Sequence, residues 1–321
     1  MINFTETQKS IIKILFVEKE SSRSLLAKKL SLTNAALTLT MKPLLKNKIV
    51  IETKIDQQRV GRKELKVKLN PDYGYFLGVD VHIHHVYFSL MDLAGNLIEY
   101  NNNLNVSFHD FYIDKIDKIL ALGVTIRGPL SSNVISEKFP KLYKEIESLD
   151  LPKYLFNNVD CLGNIYALNH PDDKNFLLVK YGPGLGSSIY VFGKQLATLS
   201  ELGHTFYKDK KLEDVISYKE ILGKELPENE AEELIYKDKE KVKYILKAIS
   251  FSLLNADSLL SLQKIILSGY ILSKETIKEE LNEEIKLLDN NFDTSKLTLY
   301  PNYEETSKKK SSIGAFIKYF E

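Results

Sequence analysis

Three groups of side chains in this 321-residue sequence have types and spacings that could do chemistry. The first is a set of short polar groups, Thr33, Asn34, Thr38 and Thr40, with Lys28, Lys29, Lys42, Arg59, Arg62 and Lys63 around them. Hydroxyls and amides of that length reach base edges or phosphates, and Lys and Arg neutralise phosphates, so the set suits duplex DNA. The second is His82, His84 and His85. Imidazoles ligate zinc, but on a strand His82 and His84 share one face and His85 takes the other, so no metal site is expected. The third is the run Lys208, Lys210 and Lys211, which could attract a phosphate or be a solvated charge run. A single cysteine, Cys161, excludes an intramolecular disulfide framework and a multi-cysteine metal site.

The elements around the first group have a recognisable order. Residues 5–17 carry Ile11, Ile12, Ile14 and Leu15 at helical spacing. Ser22 can cap a second helix over 23–30. After the break Ser31-Leu32-Thr33 a third helix starts near Asn34, and Lys42-Pro43 should kink it or begin another. Residues 49–53 and 65–69 read as two strands with a polar, basic loop between them. Helix, helix, tight turn, helix and a two-stranded ribbon make a winged helix-turn-helix pattern over 1–70. Charge agrees: this segment holds 15 Lys+Arg against 6 Asp+Glu, while the whole chain has a net charge of only +1. A basic unit joined to an acidic remainder is what a DNA-binding head on a ligand-binding body looks like. The competing reading is a small helical domain with a solvated basic face.

Asn70-Pro71-Asp72-Tyr73-Gly74 is turn chemistry and a natural boundary. Beyond it, strands are expected at 75–81, 86–92, 122–126, 154–157, 176–181, 187–192 and 265–268, with helices between several of them and one long helical stretch at 231–260. This predicts an α/β body over 71–321, in two lobes. No stretch approaches the ~18 consecutive apolar residues of a membrane span, and residues 1–8 lack a basic leader, so a cytoplasmic protein is expected.

Several segments together resemble the ROK family of repressors, open reading frames and sugar kinases. The wing Val60-Gly61-Arg62-Lys63 is similar to the Gly-Gly-Arg-Pro wing of its repressors. Phe76-Leu77-Gly78-Val79-Asp80 and Leu90-Met91-Asp92-Leu93-Ala94-Gly95 look like the first two strands of its body. Leu122-Gly123-Val124-Thr125-Ile126-Arg127-Gly128-Pro129, the glycine-rich turn at 182–186, Ser200-Glu201-Leu202-Gly203-His204 and the late Gly314-Ala315 follow in family order. The resemblance implies an actin-like, two-lobed body of the sugar kinase/ribonuclease H type, similar to that of xylose- and N-acetylglucosamine-type repressors.

The kinase parts depart from the family pattern. Where a ROK kinase has Asp-x-Gly-Gly-Thr-Lys, this chain has Asp80-Val81-His82-Ile83-His84-His85. Bulky residues replace the glycines that let backbone amides approach ATP phosphates. The late triple-glycine turn is Ser268-Gly269-Tyr270. The general-base position of the family falls on Asn158, and an amide takes no proton from a hydroxyl near neutral pH. The zinc cysteines after His204 are absent.

The resemblance carries over Asn157, Asn158, Glu201, His204 and Glu213 as the sugar-contact set. These are groups that accept from and donate to hydroxyls. Thr33, Asn34, Thr38, Thr40, Lys42, Arg59 and Arg62 form the DNA-contact set. The expectation is a sugar-responsive DNA-binding regulator, most simply a repressor. It is not an enzyme and needs no cofactor or metal. Its partners are operator DNA, a sugar or sugar-phosphate effector bound between the lobes, and further copies of itself as a homodimer or dimer of dimers. A sugar kinase with an appended head is the runner-up, and a regulator whose body only dimerises is the third reading.

Overall fold

The computed structural model describes residues 3–54, 65–82, 85–102, 106–128, 133–196 and 201–321. Contacts divide the chain into two units, Met1–Phe156 with Lys308–Glu321, and Asn157–Ser307. Arg59, Arg62, the wing at 60–63, His84 and Pro129 lie outside the described residues.

Unit 1 begins with α1 (Glu6–Glu18). The Thr5 hydroxyl accepts from Gln8 N–H while Gln8 Oε1 accepts from Thr5 N–H. This reciprocal cap satisfies donors that a helix start leaves open. The apolar stripe Ile11, Ile12 and Leu15 is buried, as its spacing requires. Next come β1 (Glu20–Ser22), α2 (Arg23–Lys29) and α3 (Asn34–Lys46), the two helices capped by Ser22 and Thr33. β2 (Val50–Lys54) and β3 (Leu65–Leu69) pair antiparallel, and β1 adds to the free edge of β3, giving the order β1-β3-β2. The third strand is not legible in sequence because Glu20-Ser21-Ser22 shows no apolar alternation. No new helix begins at Lys42-Pro43: α3 runs through Pro43 to Lys46. Pro43 forfeits one hydrogen bond near the helix end, and burial of Leu44 with the Asn47 N–H donating to the Pro43 carbonyl holds that last turn.

The rest of unit 1 is a five-stranded sheet and its helices. In chain order these are β4 (Tyr75–Val81), β5 (Val86–Asp92), β6 (Leu97–Asn101), α4 (Phe108–Tyr112), β7 (Ile119–Ile126), α5 (Asn133–Lys138), α6 (Pro140–Ser148) and β8 (Lys153–Asn157). The sheet order is β6-β5-β4-β7-β8, with β4 antiparallel to β5 and parallel to β7. Leu77, Val79, Leu90, Leu122 and Val124 pack with Phe108, Phe111 and Tyr112 into one core. The turn Pro71–Tyr73 joins the head to this sheet within one contact unit, so the division of contacts falls at 156/157 and 307/308 and not at 70/71.

Unit 2 opens with α7 (Asn158–Asn169), β9 (Phe176–Tyr181), β10 (Leu185–Val191) and β11 (Lys194–Gln195). A short hairpin of β12 (Phe206–Tyr207) and β13 (Lys210–Lys211) follows, then α8 (Glu213–Ile216), α9 (Tyr218–Leu222), α10 (Glu228–Lys237) and α11 (Lys239–Leu260). β14 (Lys264–Ser268), α12 (Glu275–Leu288) and β15 (Leu297–Leu299) complete it. The sheet order is β11-β10-β9-β14-β15, with β14 parallel to both neighbours. The helical stretch expected at 231–260 is two helices. They part at Asp238, whose carboxylate accepts from Lys241 N–H and so starts α11 afresh.

The last helix, α13 (Tyr303–Tyr319), begins in unit 2 and ends in unit 1. In unit 1 it lies on the sheet at Gly78 and Gly123, where a Cβ at Gly123 would stand 2.0 Å from the Ser311 carbonyl oxygen. Only glycine admits that approach. Among the described residues no helix is long and apolar enough to cross a membrane.

Candidate functional site

The head presents one polar helix face. On α3, Leu37, Met41 and Leu44 are buried against the head's core, which leaves Asn34, Ala35, Thr38, Leu39, Lys42 and Lys46 exposed along the opposite side. Those positions recur at the i, i+4 spacing of one helical stripe. Part of the expected contact set is already occupied. Thr33 Oγ1 accepts from Ala36 N–H, Thr38 Oγ1 donates to the Asn34 carbonyl, and Thr40 Oγ1 donates to the Ala36 carbonyl. Thr33 therefore holds the helix start, and Thr40, part-buried, sits off the exposed stripe. Asn34, Thr38 and Lys42 remain on it. Leu39, 73% exposed, belongs to the same stripe, although it is not in the DNA-contact set expected from the sequence. Its signal was available, since Leu39 lies one helical turn from Ala35 and from Lys42 rather than in phase with Leu37, Met41 and Leu44.

The five residues of the sugar-contact set all fall in unit 2. Asn157 caps α7: its Oδ1 accepts from Val159 N–H at 2.8 Å and Asp160 N–H at 3.3 Å. Asn158 is the buried first residue of that helix. Glu201 is exposed and precedes the short turn Leu202–His204. Ser187 Oγ on β10 accepts from Leu202 N–H at 3.0 Å, which fixes this turn to the sheet. His204 Nε2 stands 2.7 Å from Glu213 Oε1, and both side chains are partly exposed. The structure thus joins His204 to Glu213. It also seats both segments on the start of β10, where Gly186 lies under Val159 and Leu185 under Gly203. An imidazole and a carboxylate so paired offer a donor and acceptors to a polyol at a solvent-reachable surface. The β12–β13 hairpin links the two members of the pair. It lines a cleft of about 620 Å³ with Lys208, Lys210, Asp214, Asp238 and Tyr244, so two of the three lysines of the run share that cleft with acids.

Sequence reasoning missed a buried ionic cluster in unit 1. Asp80, at the end of β4, pairs with Lys310 of α13, and both are buried. Thr125 Oγ1 donates to Asp80 Oδ1 at 2.6 Å. His82 Nε2 donates to Asp80 Oδ2 at 2.9 Å and its Nδ1 accepts from Arg127 Nη2 at 3.2 Å. Burial pushes the Asp80 carboxyl up. The Lys310 ammonium, by charge and hydrogen bond, and the His82 hydrogen bond outweigh burial and hold it well below the usual carboxylate range. His82 therefore lies past the end of β4 and is engaged with Asp80. In unit 2 the turn after β14 is filled in a comparable way: Lys274 Nζ stands 4.3 Å from the Tyr270 ring centroid and 4.8 Å from that of Tyr236. Among the described residues no group of three or more His, Cys, Asp and Glu is placed to hold a metal ion.

Two mixed five-stranded sheets with these crossovers, beside a helix-rich basic head, make this a mixed α/β protein, and its fold is shared with solved ROK-family structures. A solved ROK-family transcriptional regulator, described as a homologue of the Escherichia coli MLC protein, superposes with a TM-score of 0.71 over 98% of this chain and 96% of its own, at 17% identity. A Streptococcus pneumoniae ROK-family protein in complex with sucrose and a Thermus thermophilus ROK hexokinase each reach a TM-score of 0.57 at 14% identity. Both cover 76% of this chain, and 97% and 99% of their own chains respectively. In sequence the chain is similar to the xylose repressor of Caldicellulosiruptor bescii, 22% identical over 227 residues. That match takes in 61% of this chain and spans 57% of the repressor's length. No family model matches the sequence.

Proposed function

We propose that this chain is a sugar-responsive transcriptional repressor of the ROK type. Residues 1–70 act as a winged helix-turn-helix head, and residues 71–321 bind the effector and join copies into a homodimer or dimer of dimers. The observation that carries the reading is the exposed stripe Asn34, Thr38, Leu39, Lys42 and Lys46 on a helix whose other side is packed into a basic head. Asn and Thr reach base edges, Leu meets a thymine methyl, and the lysines take phosphates. Arg59 and Arg62 add phosphate or minor-groove contacts from the wing.

His204 and Glu213, with Glu201 and the Asn157/Asn158 turn, take the sugar. Similarity to a xylose repressor makes D-xylose the first effector to test. The chain performs no phosphoryl transfer. Asp80 is neutralised by Lys310, bulky residues stand where phosphate-binding glycines would be, and an amide stands at Asn158 where a base would be. The sugar shifts operator affinity through its differential affinity for two arrangements of the protein.

The test is selection of bound genomic DNA followed by gel shift at moderate salt, with D-xylose and a panel of sugars and sugar phosphates. A preferred site whose affinity changes with one sugar is expected. Glu201→Ala and Glu213→Ala should lose that change while binding the site as wild type does without sugar. If both respond like wild type, the effector binds elsewhere. ATP-dependent phosphorylation of a sugar by the wild type, above a contaminant control, would favour the kinase reading instead.

A further inference from the structure

We propose that α13 is the lever by which unit 2 acts on the head, an inference that rests on the regulator reading. The five residues assigned to the effector belong to unit 2, and the head belongs to unit 1. The chain passes between the units twice, at Phe156/Asn157 and at Ser307/Lys308. The first passage is the direct junction of β8 with α7 at the Asn157 cap, where the chain changes from strand to helix. The second lies inside α13, which continues unbroken from Tyr303 to Tyr319. A continuous helix of that length, about 25 Å, has no loop to absorb a displacement at one end, so it tilts, rolls or slides as one piece.

Each end of the lever is tied to the right place. In unit 2, Tyr303 packs edge-on against Tyr300 at 6.1 Å, and Tyr300 Oη donates to the Leu162 carbonyl of α7 at 3.1 Å. α7 is the helix that Asn157 caps and Asn158 begins. A ligand held at that helix start is therefore two contacts from the first turn of α13. In unit 1, α13 sits on the glycine floor of β4 and β7 by directional polar contacts. Lys310 pairs with Asp80, Ser311 Oγ lies 2.8 Å from Thr125 Oγ1, and Ser312 Oγ lies 2.8 Å from Ser89 Oγ. Such contacts favour discrete positions over a continuum, because a small slide breaks several at once.

The far end of α13 carries the head. Phe316 stacks on Phe16 of α1 with ring centroids 4.0 Å apart, Phe320 packs on Phe4 at 5.4 Å, and Lys9 Nζ donates to the Glu321 carbonyl at 2.6 Å. α1 in turn holds α3, since Gln8 Nε2 donates to the Thr40 carbonyl at 3.3 Å. Displacement of α13 thus moves the exposed stripe of α3 through packed rings and one hydrogen bond. A rigid element with two positions is the physical means of coupling distant sites.

The experiment softens the lever at Lys308, an exposed residue just past the second passage. Lys308→Gly makes the helix pliant there and Lys308→Pro kinks it, and circular dichroism checks that each variant is folded. Operator affinity without sugar and D-xylose affinity should stay within about twofold of wild type, while the D-xylose-driven change in operator affinity falls at least about fivefold. A full wild-type response in both variants overturns the proposal. Hydrogen exchange on the sugar-free proteins judges it independently: Lys308→Pro should speed exchange in residues 309–319 and in α1. Unchanged exchange in α1 alongside faster exchange in 309–319 also overturns it. A wild type with no preferred DNA site would sink the regulator reading alone, and the exchange result would still decide the role of α13.

Discussion

Asp80 and Lys310 are 230 positions apart in sequence and share one buried ion pair. Removing one member of such a pair strands a charge in the interior, which costs about 3–5 kcal/mol, whereas replacing both by neutral groups of similar size is far milder. Lys310→Ala should therefore destabilise the protein by about that amount in urea unfolding, and the double variant Asp80→Asn, Lys310→Met should recover most of it. The pH dependence has a defined sign. A carboxyl held below its unfolded value contributes stability that is complete above about pH 5 and is lost progressively on acidification below that. Wild type should lose stability more steeply than the double variant between about pH 5 and pH 2, and equal slopes would show that the Asp80 charge is not coupled to folding.

At the scale of the element, α3 separates structure from readout. Thr33 caps the helix, so Thr33→Ala should cost about 1 kcal/mol of stability whatever it does to DNA affinity. Lys42 and Leu39 are exposed and hold nothing in place. Lys42→Ala should weaken all sequences alike and reduce the salt slope by about one, while Leu39→Ala should relax preference at an A·T position with thermal stability unchanged. Binding-site selection at two salt concentrations distinguishes these outcomes. The same caution applies in unit 2, where the Asn157 side-chain oxygen Oδ1 is committed to the start of α7. Asn157→Ala would disturb that helix as well as any ligand, so Asn157→Asp, which keeps an acceptor, is the cleaner probe.

For the whole molecule, a single head with one exposed helix reads only a few base pairs. Two copies would read two half-sites, centred about 10 bp or a multiple of that apart. The selected DNA should be a pseudo-palindrome, and destroying one half-site should reduce affinity by about 100-fold or more through loss of the second contact. Binding that is indifferent to the second half-site would argue for a monomer on DNA. Sedimentation of the free protein at micromolar concentration reports the assembly directly.

Much of this was legible in the amino-acid order because it depends on short-range chemistry. The stripe Ile11, Ile12 and Leu15, the caps at Ser22 and Asp238, and the alternating runs that became β4, β5 and β9 follow from periodicity and local hydrogen bonding. Capping and amphipathic spacing act within a few residues, so the Ser22 cap is legible from its neighbours alone, whereas Asp238 sits inside a stretch whose periodicity predicts one continuous helix. Position in the sequence also made the basic head and the order of the ROK-like segments visible. Other features depended on residues far apart in the chain. β1 exists because β3 has a free edge to satisfy, and Leu39 is exposed because Leu37, Met41 and Leu44 fill the head's core. Asp80 has its charge partner on the last helix, and Gly123 is needed because that helix lies against it. Which histidine meets which carboxylate is equally a matter of through-space distance: His204 found Glu213 across a hairpin and His82 found Asp80 beyond the end of its strand. Burial, charge pairing and close backbone approach are set by chain segments meeting in space, so only the tertiary structure decided them.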